Sequence, residues 1–191
     1  EYALMTIGGL TDLDLSKAAA VLSCEITIIK TIIEVEGSRE GFLSTYEPLL
    51  WFHKDVFSRR TQGAYDKVAP DISHPEPGEF GHVSIQHERL HKAAWLNRNA
   101  ALMSASWGKF QLMGYNYALA GYYSLQDFVS AMYKSESEHL LAFVQYLKNL
   151  SLDEDLRNKD WEACAFKYKD PGDREGYIES LKLAYQKYAV D

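Results

Sequence analysis

From Leu15 to Ile33 the apolar residues Leu15, Ala18, Ala19, Leu22, Ile26, Ile29 and Ile33 return at steps of three and four, which draws one apolar stripe along a helix. No other feature restricts the fold as strongly, because a helix with one oily face persists only when another element covers that face. The stripe follows the capping candidates Asp12 and Asp14 and runs to the stop signal Gly37, so a single amphipathic helix is predicted. The same period returns from Ile85 to Ser104, breaks at Trp107-Gly108, and is followed by a short segment from Lys109 to Leu119. Ser124 with Asp127 three residues on resembles a capping box, ahead of a stripe formed by Leu125, Phe128, Met132, Leu140, Phe143, Leu147 and Leu150. Further helices are predicted over Asp153 to Phe166 and Asp173 to Tyr188, the last with Tyr177, Leu181, Ala184 and Tyr188 on one face.

The fold class is therefore mainly α. Between 37 and 83 the periodicity lapses, and three of the five prolines crowd into Pro70 to Glu79. A long irregular excursion is predicted there, of the kind that is functional when it occurs in a compact domain, with a small hairpin between 42 and 83 left open. At 191 residues with 47% hydrophobic content, one domain spanning 1–191 is the expectation. Since the chain begins at Glu1 and shows no basic n-region with an apolar h-region, a domain cut from a longer protein is expected.

Composition excludes several function classes. A formal charge of -7 and the absence of Lys/Arg clusters oppose nucleic-acid binding. No run approaches the roughly 18 consecutive apolar residues of a membrane span. Cys24 and Cys164 lack a zinc-ligand spacing, and a disulfide between them stays open. His87 and His91 are spaced i, i+4, but without a His-Glu-x-x-His pattern a satisfied or surface role is favoured over a metal. No metal or organic cofactor is expected.

Glu36 lies three residues after Ile33 and seven after Ile29, so it continues the apolar stripe and aims a carboxyl group at the core side. Desolvation and the negative end of the helix dipole both favour its protonated form, as a general acid requires. The bland reading is a solvated helix end beside Gly37. Glu34 points the other way and follows Lys30 by four, as expected of an exposed ion pair. Glu136, four after Met132 and four before Leu140, is predicted to face inward, as a structural acid or a functional one. His53 and Asp55 follow the aromatic pair Trp51-Phe52 in the excursion. The block Ser104 to Tyr117 combines glycines, aromatics, Gln111 and Asn116, and offers close backbone approach with donors and acceptors for sugar hydroxyl and acetamido groups.

Taken together, Val35-Glu36-Gly37, Gly41-Phe42-Leu43, Pro70-Asp71, Glu88-Arg89-Leu90, Ala105-Ser106-Trp107-Gly108-Lys109-Phe110-Gln111-Leu112-Met113-Gly114, Ser135-Glu136 and Ala142-Phe143 resemble the phage-type N-acetylmuramidase domain, a family of peptidoglycan hydrolases in the lysozyme-like superfamily. The likeness spans nearly the whole chain. It implies a two-lobed, lysozyme-like helical domain in which the irregular or small β segment lines the cleft. It implies that Glu36 is the catalytic glutamate, with Asp55 the leading candidate for a second carboxylate and Glu136 behind it. His53, Trp107, Gln111, Tyr115, Asn116 and Tyr168 are the expected substrate contacts. Gly108 to Leu112 resembles the Gly-x-x-Gln-Ile segment of that superfamily. Phe166 to Gly172 resembles its Tyr-Asn-Ala-Gly segment, which would set Tyr168 across the cleft from Glu36. Three departures stand out: His53 replaces an expected acidic residue, Lys169 and Asp170 replace the Asn and Gly after the tyrosine, and Gly37 replaces a Ser.

The activity implied is cleavage of the β-1,4 bond between N-acetylmuramic acid and N-acetylglucosamine, in the bacterial periplasm or cell wall. Three rivals are kept: a lytic transglycosylase giving 1,6-anhydro ends, a silent peptidoglycan-binding module, and a purely structural helical interaction domain. Either a phage endolysin or a secreted antibacterial effector is an expected setting, with delivery by phage lysis or by a secretion system. A cognate immunity protein is expected as a partner only for an effector.

Overall fold

The computed structural model describes residues 9–190. In chain order its helices are α1 (Asp12–Leu22), α2 (Ile26–Glu36), α3 (Lys54–Arg60), α4 (Gln86–Leu96) and α5 (Arg98–Met103). They continue with α6 (Leu125–Lys134), α7 (Glu136–Asn149), α8 (Asp153–Arg157), α9 (Trp161–Tyr168) and α10 (Arg174–Ala189). Three short strands, β1 (Leu50–Phe52), β2 (Ala105–Trp107) and β3 (Leu112–Met113), pair antiparallel in the order β1-β2-β3. The fold is mainly helical with a small sheet. Two compact units divide it: one holds the described residues through Glu40 and from Glu136 onward, the other Gly41–Ser135.

In the first unit α1 packs on α2 and α7, and α10 packs on α2 and α9. The single helix expected from the 15–33 stripe is two. Ser23 takes a left-handed conformation (φ 52) and closes α1, and α2 restarts at Ile26. The apolar steps continue across the break, so periodicity alone conceals it. The true cap of α1 is Thr11, which accepts from the Asp14 amide at 3.2 Å while Asp14 accepts from the Thr11 amide at 2.8 Å.

Helix α2 is rich in β-branched residues and has no side-chain cap at Glu25. Its local propensity is weak, so burial must hold it. Ile28, Ile29, Ile32 and Ile33 are at most 2% exposed, each worth roughly 1.5–3 kcal/mol on full burial. Polar ties to α10 and its neighbours flank that face: Tyr185 donates to Glu25 at 2.8 Å, and Lys187 pairs with Glu34. Glu34 therefore takes a partner from α10, while Lys30 rests over the Tyr188 ring at 5.9 Å. The expected Lys30–Glu34 pair is corrected accordingly.

The stripe predicted as one helix after Ser124 is also two helices, because Ser135 is extended (φ -169, ψ 161). Glu136 consequently opens α7, in its first turn, rather than sitting midway along an apolar stripe. The segment from Asp153 divides in the same way into α8 and α9, and the final helix runs as expected.

In the second unit the excursion from residue 41 is more regular than its sequence suggests, since it contains β1 and α3. The pattern from Ile85 to Ser104 splits at Asn97, whose backbone is extended and whose side chain caps the Ala100 amide at 3.0 Å. Strands β2 and β3 come from the glycine and aromatic block, with Leu50 opposite Trp107 and Trp51 opposite Ser106. Buried Gln86 fastens the excursion to α4. Its Oε1 accepts from the Phe52 amide (3.1 Å) and Arg89 (3.0 Å), and its Nε2 donates to Phe80 O (2.7 Å) and His82 O (3.1 Å). Every polar atom of that amide is satisfied, as burial demands.

Candidate active site

Glu36 is the last residue of α2, and its position follows from the register of the isoleucines that bury the helix. Gly37 closes the turn by donating to Ile33 O at 2.8 Å, and Arg39 donates to the Glu36 carbonyl at 3.3 Å. The carboxyl group is half-buried. Its Oε1 is enclosed and has no hydrogen-bond partner among the described residues, while the Tyr177 hydroxyl of α10 lies close enough to favour the charged form of the carboxyl. Burial raises the Glu36 pKa above the ordinary glutamate value, and the charges of Lys169 and Arg39 and the Tyr177 hydroxyl offset part of that rise.

The surroundings of this acid are aromatic. Tyr168, the last residue of α9, lies in the same compact unit as Glu36 and within reach of its charge. Its ring centroid is 5.7 Å from that of Tyr177 and 6.4 Å from that of Tyr146. Burial first, and the Glu36 charge second, hold both Tyr168 and Tyr177 far above the usual phenol range, so both stay neutral. The Lys169 ammonium sits over both rings, 4.8 Å from the Tyr168 centroid and 4.9 Å from that of Tyr177. Tyr177 and Lys169 were not expected at the acid. Tyr177 read as part of an apolar face, although a tyrosine one turn before Leu181 carries a hydroxyl inward; Lys169 read only as a departure.

Glu136 lies elsewhere in this unit, with its Oε2 against the backbone of Gly9, where a Cβ would meet it at 3.0 Å. Its place in the first turn of α7 sets its charge at the positive end of the helix dipole.

A second constellation stands in the other unit. His53 precedes α3 and bonds through Nε2 to Ser106 Oγ of β2 at 3.1 Å. Ser106 has one proton, which goes to Gln111 Oε1 at 2.7 Å, so His53 Nε2–H is the donor and Nδ1 carries the lone pair. Gln111 Nε2 returns to Gly108 O at 2.8 Å, and Gln111 itself is left-handed (φ 53), a conformation stored at functional turns. Burial lowers the His53 pKa against the opposing charge of Asp55, which keeps the ring neutral. Phe80 stands edge-on to both His53 (4.9 Å) and Trp51 (5.6 Å). A small cavity opens here, lined by His53, Asp55, Gly78, Glu79, Phe80 and Arg89 among others. Asp55 is tied to Arg59 at 3.0 Å.

Of the remaining expected contacts, Tyr115 is exposed with Arg60 over its ring at 5.0 Å, and Asn116 is half-buried in the same short turn after β3. Trp107 is corrected: it is 1% exposed, donates to Leu102 O at 3.1 Å, and packs edge-on against Phe128, so its ring is core and presents no face to a sugar. His87 Nε2 bonds to Pro48 O at 2.7 Å, while its buried Nδ1 has no hydrogen-bond partner among the described residues and lies 3.3 Å from the Glu47 carboxylate. Both cysteines are free thiols, which answers the open disulfide; burial pushes Cys24 up to about 11 and Cys164 up to about 12. Among the described residues no group of three or more His, Cys, Asp or Glu could hold a metal ion, and no helix is long and apolar enough to cross a membrane.

A family profile described as N-acetylmuramidase matches residues 25–189. None of the curated proteins compared with the chain matches it. Among solved structures the chain is similar to the Burkholderia AP3 phage endolysin, with a TM-score of 0.86 and 29% sequence identity over 95% of this chain and 72% of that one.

Proposed function

The chain belongs to the N-acetylmuramidase family and is a glycoside hydrolase that degrades cell-wall peptidoglycan, and we propose that Glu36 is its general acid. The observation that carries this reading is a carboxyl group with one oxygen enclosed and unpaired, held above the ordinary glutamate pKa by burial. Glycoside cleavage starts with proton transfer to the leaving oxygen while positive charge grows on the sugar ring. A carboxyl that holds its proton to higher pH than an ordinary glutamate is better able to make that transfer, and a desolvated site is the usual means of arranging it. In the forming carboxylate, the Tyr177 hydroxyl and the Lys169 charge oppose the cost of burying the new anion.

The test is mass spectrometry of purified sacculi digested with this chain and with its Glu36→Gln variant, which keeps the shape and removes the ionisable proton. Reducing N-acetylmuramic acid ends released by the parent and missing with the variant support the assignment. Equal release by both rejects Glu36 as the acid, and 1,6-anhydro ends would replace hydrolysis with intramolecular attack by the 6-hydroxyl.

For the biological setting we propose a phage endolysin, on the likeness to the Burkholderia AP3 phage enzyme over most of both chains. An endolysin needs no cognate inhibitor, so periplasmic export into a host without one is expected to lyse it. Recovery of a tightly bound immunity protein from the native source would favour the effector setting instead.

A further inference from the structure

We infer that Lys169 is a positioning residue for the proposed acid: Tyr168 and Tyr177 bracket its ammonium, so that its charge acts on Glu36 without entering an ion pair with it. The inference rests on the reading of Glu36 above. Its geometry is specific. Lys169 follows α9 directly, is half-buried, and stands within 5 Å of two ring centroids at once. One of those rings, Tyr177, also carries a hydroxyl that favours the charged form of Glu36, so a single side chain meets the cation with its face and acts on the carboxylate with its edge.

A lysine beside a half-buried carboxylate would ordinarily close on it. A closed ion pair favours the ionised carboxylate so strongly that little proton is left to donate. A missing cation has the opposite fault, because the carboxylate formed by proton transfer would then lose the largest influence that offsets its burial. The bracket lies between these cases. Both phenols stay neutral, so their faces keep the electron density that attracts an ammonium. Lys169 acts on Glu36 through its charge and forms no ion pair with it, while Tyr177 acts through its hydroxyl.

Four charged or titratable groups among the described residues act on Glu36. Lys169 and Tyr168 come from the end of α9, Tyr177 from α10, and Arg39 from the chain just beyond α2. Arg39 spends a guanidinium nitrogen on the Glu36 carbonyl. Lys169 is the largest of the opposing influences. The sign of its effect follows: removing a cation makes Glu36 hold its proton to higher pH.

The experiment uses the full chain and two readouts. The alkaline limb of kcat/KM against pH reports the free enzyme's acid, and carbon-13 NMR of glutamate-labelled protein follows the Glu36 carboxyl directly, assigned by the signal lost in Glu36→Gln. For Lys169→Met we expect the limb and the NMR midpoint to move together to higher pH, with kcat reduced about tenfold or more. Lys169→Arg should leave both near the parent values. A purely structural lysine would lower activity with the midpoint unmoved, and that result overturns the inference. If Lys169→Met melts too early to be measured, Lys169→Gln is read the same way. Should Glu36→Gln stay active, the catalytic reading fails, yet the NMR midpoint still decides whether Lys169 governs this carboxyl.

Discussion

The Tyr177 hydroxyl of α10 faces the carboxyl group of Glu36 at the end of α2 closely enough for each to shift the other's proton affinity. A phenol placed to donate to a carboxylate favours the ionised state, so its influence grows as the proton leaves. Tyr177→Phe is therefore expected to lower kcat about tenfold with little change in KM, the pattern of an interaction gained in the transition state. Steady-state kinetics on soluble glycan chains at several pH values would check it. A change confined to KM would place Tyr177 in binding instead.

Burial of Glu36 also leaves a mark on stability. Its folded-state pKa is raised above the ordinary 4.5, so its contribution is complete below that value and is lost as pH rises through the folded one. Glu36→Gln pays no such cost. The variant should melt at a higher temperature than the parent near pH 8, and the advantage should vanish towards pH 4. Equal melting across that range would mean that the carboxyl is well solvated.

Ser106 stands between His53 and Gln111, and its hydroxyl serves both. Ser106→Ala removes the acceptor of His53 Nε2 among the described residues and the donor to Gln111 Oε1, in a strand position 5% exposed. A loss of about 1–3 kcal/mol is expected from denaturant unfolding. A loss well below this range would show that water replaces the hydroxyl without cost.

The core placement of Trp107 makes a separate claim. Trp107→Phe leaves Leu102 O without its donor and opens space beside Phe128, which should cost on the order of 2 kcal/mol. KM of the folded variant should equal that of the parent. A several-fold rise in KM at unchanged stability would restore a substrate contact.

At Gly114 there is no room for a side chain. A Cβ would lie 2.0 Å from Leu102 O and 2.9 Å from the Met103 Cα, both backbone atoms. Gly114→Ala is expected to cost several kcal/mol, about 4 or more, and to show as loss of soluble protein or of a cooperative thermal transition.

Much of this was legible in the sequence. Spacing of Ile29 and Ile33 was enough to aim Glu36 inward, because the period of a helix fixes direction whether or not the helix starts where expected. The same spacing hid the break at Ser23, since a stripe records which residues are buried and not how the chain passes between them. Strands β2 and β3 are three and two residues long, too short for any alternation to show. Trp107 carried the chemistry of a sugar platform, and only its tertiary surroundings made it core. Lys169 and Tyr177 come from regions far along the chain, and the meeting of α9, α10 and α2 is a property of packing that no local pattern encodes.

The first unit draws on both sides of the segment Gly41–Ser135. Glu36 therefore acquires Tyr168, Lys169 and Tyr177 from a stretch on the order of a hundred residues downstream, across a chain closure that carries its own entropic delay. Nothing in the local sequence of α2 supplies those three side chains, so the surroundings of the carboxyl depend on that stretch docking. The proposed acid therefore owes its raised proton affinity to the completed unit and not to its own helix.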